Sequence, residues 1–109
     1  HSQCGAVTAA LDELQGRSTN ESRNLRAIVD RVRPSVETVL ASHAHAGVDE
    51  LLNEAVRANV RVSVDHLRHG SELLEKLIRA EGLKVVGAQY SLETGVVDFF
   101  ENVPAAAVR

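Results

Sequence analysis

The sequence predicts an α/β chain, mostly helical, with a C-terminal β-hairpin that belongs to a larger sheet. Apolar residues recur at helical spacing in four successive segments between Val7 and Ile78. From Val85 onward the pattern changes to two short β-type runs flanking a Thr-Gly turn. The run Leu83-Lys84-Val85-Val86-Gly87-Ala88 is apolar on both faces, as in a strand buried within a sheet, whereas the chain itself offers only a hairpin to hold it.

The first element is a turn, His1-Ser2-Gln3-Cys4-Gly5, entering a helix on which Val7, Ala10, Leu11 and Leu14 share one face. Gly16 and the polar run from Arg17 to Glu21 end it, and Ser18, Thr19 or Asn20 is placed to cap the next helix. That second helix carries the stripe Leu25, Ile28, Val29, Val32, Val36, Val39 and Leu40. Pro34 lies inside the pattern and predicts a kink or break near Arg33, because proline lacks an N–H and its ring crowds the preceding turn.

Gly47 and Asp49 open a third helix through Leu51, Leu52, Ala55, Val56, Val60, Val64 and Leu67. Val60, Val62 and Val64 also alternate as in a strand, but Arg61, Ser63 and the flanking helix formers favour helix. Gly70 closes it, and Ser71 caps a shorter helix through Leu73, Leu74, Leu77 and Ile78, ending at Gly82. Val85, Val86, Ala88 and Tyr90 then form one β-type run, Ser91 to Gly95 a turn, and Val96, Val97, Phe99 and Phe100 a second run. Tyr90 reads as a core residue of its strand, and the tail from Asn102 to Arg109 as loose. The run from Leu83 to Ala88 needs a sheet partner, either strands from a separate polypeptide or a second copy, since an unpaired apolar edge invites aggregation.

Composition narrows the function. A chain of 109 residues suits one domain, and 44% hydrophobic with 25% charged residues is ordinary soluble usage. The net charge of −3, with arginines interleaved among acids, and an aromatic content of 3% argue against nucleic-acid binding. No apolar run approaches the roughly 20 residues of a membrane span. The single cysteine, Cys4, cannot form an internal disulfide and fits a reducing compartment, cytoplasmic rather than periplasmic. A chain that opens on a potential metal ligand is compatible with an upstream segment carrying any targeting signal, so localisation is left open.

The chemistry is concentrated at the start. His1-Ser2-Gln3-Cys4 places an imidazole and a sulfur at spacing three on a turn, both suited to zinc, with the helix start at Cys4 and Gly5 offering free backbone N–H groups. Zinc takes four ligands, or three plus water, and no second cysteine exists here. On the residues alone, a packing cysteine beside an incidental histidine is the simpler reading. His66 with His69 and His43 with His45 also stand at metal-ligand spacing, but read as solvated surface residues. Asp12, Glu13, Glu72 and Glu75 read as solubility and helix-pairing acids. There is no phosphate-binding glycine loop, Ser-His-Asp pattern or nucleotide fingerprint.

Both ends of the chain resemble β-class carbonic anhydrases. His1-Ser2-Gln3-Cys4-Gly5-Ala6-Val7 is similar to the family's second metal-binding motif, in which the His and Cys ligate zinc and the Gly-Ala step starts a helix. Gly87-Ala88-Gln89-Tyr90-Ser91-Leu92-Glu93-Thr94-Gly95-Val96-Val97 resembles the strand and turn near the family's C-terminus, and Asn59-Val60 matches a pair on the helices between. The resemblance implies the C-terminal portion of a β-carbonic-anhydrase-type fold, with residues 1–109 a partial domain. It implies zinc (Zn²⁺) held by His1 and Cys4, with Gly5 contributing backbone to the pocket.

In that family a Cys-x-Asp-x-Arg motif supplies the further cysteine and an Asp-Arg dyad, and no such motif occurs in these 109 residues. The resemblance therefore places the catalytic groups, the remaining strands and the dimer-clasping helices in an upstream segment. It implies reversible hydration of carbon dioxide to bicarbonate, active only when that segment is present. The metal's acidification of water, for which carbonic anhydrase is the standard example with a three-histidine site, is the implied chemistry. A homodimer or higher oligomer, or pairing with the N-terminal segment, is the implied assembly. The alternative is a non-catalytic carbonic anhydrase-like module for dimerisation or regulation.

Overall fold

In the computed structural model, residues 1–17 and 22–105 are described. They form four helices, α1 (Gly5–Leu14), α2 (Arg23–Ser42), α3 (Val48–His69) and α4 (Glu72–Ala80), followed by β1 (Gly87–Tyr90) and β2 (Val97–Glu101). The chain divides into two compact units, His1–Asn59 and Val60–Arg109, with α3 running through the division.

The first unit is built on the predicted stripes. Val7, Ala10 and Leu11 of α1 pack with Val29, Val32 and Val36 of α2 and with Ala55 and Val56 of α3. Each fully buried valine contributes on the order of 1.5–3 kcal/mol of apolar transfer free energy, so this aliphatic cluster replaces the aromatic core that the composition rules out. Glu13 of α1 ties the same pair of helices together at their rim, accepting from Arg26 of α2 at 3.0 Å and from Arg33 of α2.

Two expectations for α2 are corrected. Of the kink or break expected near Arg33, the break does not occur, since α2 runs from Arg23 to Ser42 with Pro34 inside it. Burial of Val29 and Val32 before the proline and of Val36 and Val39 after it offsets a cost of about 3 kcal/mol for a proline in a helix interior. The N-cap is Ser22, in extended conformation and with no side-chain capping bond; Ser18, Thr19 and Asn20 lie outside the described residues. In addition, Leu25 and Ile28 are 53% and 51% exposed, so the apolar stripe at the start of α2 is wider than the surface its neighbours in this unit cover.

The second unit sets the end of α3 against the hairpin. Val64 is buried, as are Gly87 and Gln89 of β1. Arg61 reaches Glu101 of β2 at 3.3 Å and stacks over the Phe100 ring at 5.3 Å. Helix is the correct reading of Val60, Val62 and Val64, since α3 continues to His69. The Ser71 hydroxyl accepts from Leu74 N at 3.3 Å and caps α4, as its position predicts. Leu73 nevertheless lies 65% exposed, and α4 buries no residue fully.

The hairpin is antiparallel, pairing Ala88 with Phe99, Gln89 with Asp98 and Tyr90 with Val97, with an irregularity beside Gly87. Its turn is closed by Ser91 N donating to Val96 O and Gly95 N to Ser91 O, both at 2.8 Å, with Gly95 at φ +74. That left-handed backbone is the reason glycine stands there. The first strand begins at Gly87 rather than Val85; Val85 and Val86 lie outside it, and Leu83 and Val86 are exposed. Tyr90 is 47% exposed and not a core residue, because its position in the register points it away from the face that α3 covers, where Gly87 and Gln89 are buried. The tail starts less loosely than expected, since Asn102 Nδ2 donates to Val85 O at 2.6 Å.

Candidate metal centre

His1 and Cys4 flank a tight turn whose central residues are Ser2 and Gln3. Gln3 has φ +55, a left-handed conformation uncommon for a side-chain-bearing residue. A β-turn brings its first and fourth residues close in space, so the turn draws positions 1 and 4 toward each other. The cost of such backbone, of order 1–3 kcal/mol, is borne at the point that separates the two donors.

Cys4 is the N-cap of α1, with φ −59 and ψ 120, and its carbonyl accepts from Thr8 N and from Thr8 Oγ1, both at 2.9 Å. The residue is half-buried and packs against the valine-rich cluster, while its side chain makes no capping bond. The core thus grips one side of Cys4 and leaves the sulfur uncommitted to the helix.

His1 is exposed, with Nδ1 at 2.8 Å from Ser2 O. A carbonyl oxygen only accepts, so Nδ1 carries the proton and, in the neutral ring, Nε2 presents the lone pair. Metal-binding histidines are commonly oriented in this way, by donating their other nitrogen to a carbonyl. Gly5 is exposed as the first residue of α1, and a Cβ built on it would meet nothing within 4 Å. Nothing among the described residues requires glycine there, and among them the approach to the first turn of α1 is open.

The donor types fit zinc, and their number is half of a four-ligand set. Among the described residues no group of three or more His, Cys, Asp and Glu is assembled to hold a metal ion. The other histidine pairs have other contacts: His43 Nδ1 lies 2.9 Å from Ser42 Oγ, and His69 faces Asp65 at 3.5 Å and Glu75 at 4.0 Å. Asp12 pairs with Arg17 at 3.2 Å, and Glu13 with its two arginines. The left-handed backbone at Gln3 had no sequence signal, since glutamine has no special preference for it.

The turn therefore sets one imidazole and one thiol side by side at the start of a helix that the aliphatic core pins. A family model described as carbonic anhydrase matches residues 1–97, from the His-x-x-Cys turn through the hairpin, and the chain belongs to the carbonic anhydrase family, in its prokaryotic or β class. No curated protein and no solved structure matches it.

Proposed function

We propose that this chain supplies two of the zinc ligands, His1 and Cys4, in a carbonic anhydrase that interconverts carbon dioxide and bicarbonate. The observation that supports this reading is the family match, which begins on the His-x-x-Cys turn and spans 97 of 109 residues. In the β class a Cys-x-Asp-x-Arg motif supplies a further ligand and an Asp-Arg dyad, and on this reading they come from a segment outside these 109 residues, which contain no such motif.

Zinc supplies Lewis acidity that makes water a nucleophile near neutral pH. The residues of this chain would hold it. His1 contributes Nε2, its ring set by the Nδ1 bond to Ser2 O; Cys4 contributes a sulfur whose position is fixed by core packing and by the α1 cap. Gly5 leaves the entrance beside them free of side-chain bulk.

The test is carbon dioxide hydration, with zinc added, on the 109-residue chain alone and on the chain complemented by a segment carrying the Cys-x-Asp-x-Arg motif. The isolated chain should be inactive, and the complemented protein should turn over and lose its zinc on His1→Ala or Cys4→Ser. Robust turnover by the 109 residues alone would overturn the assignment. A complemented protein that binds zinc but never turns over would point instead to a non-catalytic module for dimerisation or regulation.

A further inference from the structure

The corner between α3 and α4 holds two arginines that no carboxylate among the described residues neutralises. A cleft of about 230 Å³ is lined by Arg68, His69, Glu75, Ile78 and Arg79. Arg68 and His69 stand in the last turn of α3, and Arg79 in the last turn of α4. Four other arginines are paired, Arg17 with Asp12, Arg26 and Arg33 with Glu13, and Arg61 with Glu101, whereas the exposed Arg23 and Arg31 lie outside this cleft. Among the described residues, neither Arg68 nor Arg79 has a carboxylate within ion-pair reach. Glu75, the one acid lining the cleft, faces His69 Nδ1 at 4.0 Å.

The geometry points to this cleft as a binding site for a small phosphate-type oxyanion, held by the guanidinium groups of Arg68 and Arg79. Each guanidinium is a planar fork that prefers two oxygens at once. A carboxylate has two oxygens and fills one fork, whereas a phosphate or phosphomonoester has enough for both. Ile78 adds an apolar wall, and Arg68, only partly exposed, is held in place by its stem. Glu75 opposes an anion, and His69 beside it offsets that opposition when protonated. Arginines in last helical turns also stabilise the helix carbonyl ends, which accounts for each residue's position on its helix but not for both lining one cleft.

The experiment is a titration of the full 109-residue chain with sodium phosphate, at ionic strength held constant with sodium chloride, followed by backbone amide shifts. Saturable shifts are expected around residues 66–80. Arg68→Gln and Arg79→Gln should each weaken binding by about tenfold or more, the usual loss for a charge-assisted hydrogen bond. Arg79→Lys, which keeps the charge and loses the fork, should also weaken it, and the exposed Arg23→Gln should not. Acetate should bind several-fold more weakly than phosphate. A parallel titration with glycerol phosphate assigns the source, tighter binding indicating an ester and weaker binding the free ion. Equal response to acetate and chloride would overturn the site. So would unchanged phosphate binding in both glutamine variants with lowered melting temperatures, which would leave the arginines as helix-end stabilisers only.

Discussion

Gly87 on β1 and Val60 on α3 lie so close that a Cβ on the glycine would stand 2.8 Å from Val60 Cγ1. The same Cβ would meet Glu101 Cβ at 2.8 Å and Val64 Cγ2 at 3.1 Å, so at Gly87 the strand backbone itself rests on the valine side chains of the helix.

Gly87→Ala should therefore destabilise the chain by about 1–3 kcal/mol, the range for overpacking a filled site. Urea unfolding measures it. Val60→Ala in the same chain should return part of the loss, and a Gly87→Ala protein as stable as its parent would show that strand and helix are less tightly apposed.

Glu13 bridges two arginines of the neighbouring helix with a side chain only 13% exposed, and its Oε2 is buried with no hydrogen-bond partner among the described residues. Glu13→Gln removes the charge that Arg26 and Arg33 share and puts an amide where no acceptor waits. The expected loss is about 1–2 kcal/mol, between exposed and fully buried ion pairs. A double-mutant cycle with Arg33→Gln should return a coupling of about 1 kcal/mol; additive effects would mean that the pair contributes nothing.

Ser35 is the opposite case. It is 2% exposed on the buried face of α2, and its Oγ has no hydrogen-bond partner among the described residues. Ser35→Ala removes an unsatisfied hydroxyl and improves helix propensity, and it should raise stability by about 0.5–1 kcal/mol. A melting temperature lowered by this change would reveal a partner for the hydroxyl.

The two proposed ligands should separate in a stability measurement made with chelator present. His1 is exposed with one local contact, so His1→Ala should stay within about 0.5 kcal/mol of the parent. Cys4 packs on the core, and Cys4→Ala should cost about 1 kcal/mol. In the complemented protein both should lose metal, read from zinc content and from the absorption of a cobalt-substituted sample. Zinc retained in full by both variants would remove the ligand assignment.

Much of the first unit was legible because an aliphatic core leaves a clean period. Val7, Ala10 and Leu11, then Val29, Val32, Val36 and Val39, are buried where the 3.6-residue repeat puts them. Ser71 capped its helix as read, because the capping bond is local and needs no partner from afar. The motif His1-Ser2-Gln3-Cys4 was equally visible, with the family match running from it. Periodicity reports which face of a helix is apolar and not how far a neighbour extends over it, so the exposure of Leu25, Ile28 and Leu73 was hidden.

The order of residues alone determined the helix stripes, the hairpin with its Thr94-Gly95 turn, and a pair of zinc-type donors three residues apart, because each depends on neighbours within a few positions. Tertiary structure decided whether Pro34 broke α2, which side of β1 met α3, and how Cys4 was held. Those outcomes turn on burial against segments distant in sequence. A proline's local penalty is outweighed here because valines on both sides of it are covered, and a β-type run such as residues 83–86 becomes a strand only when another backbone lies alongside to accept its hydrogen bonds.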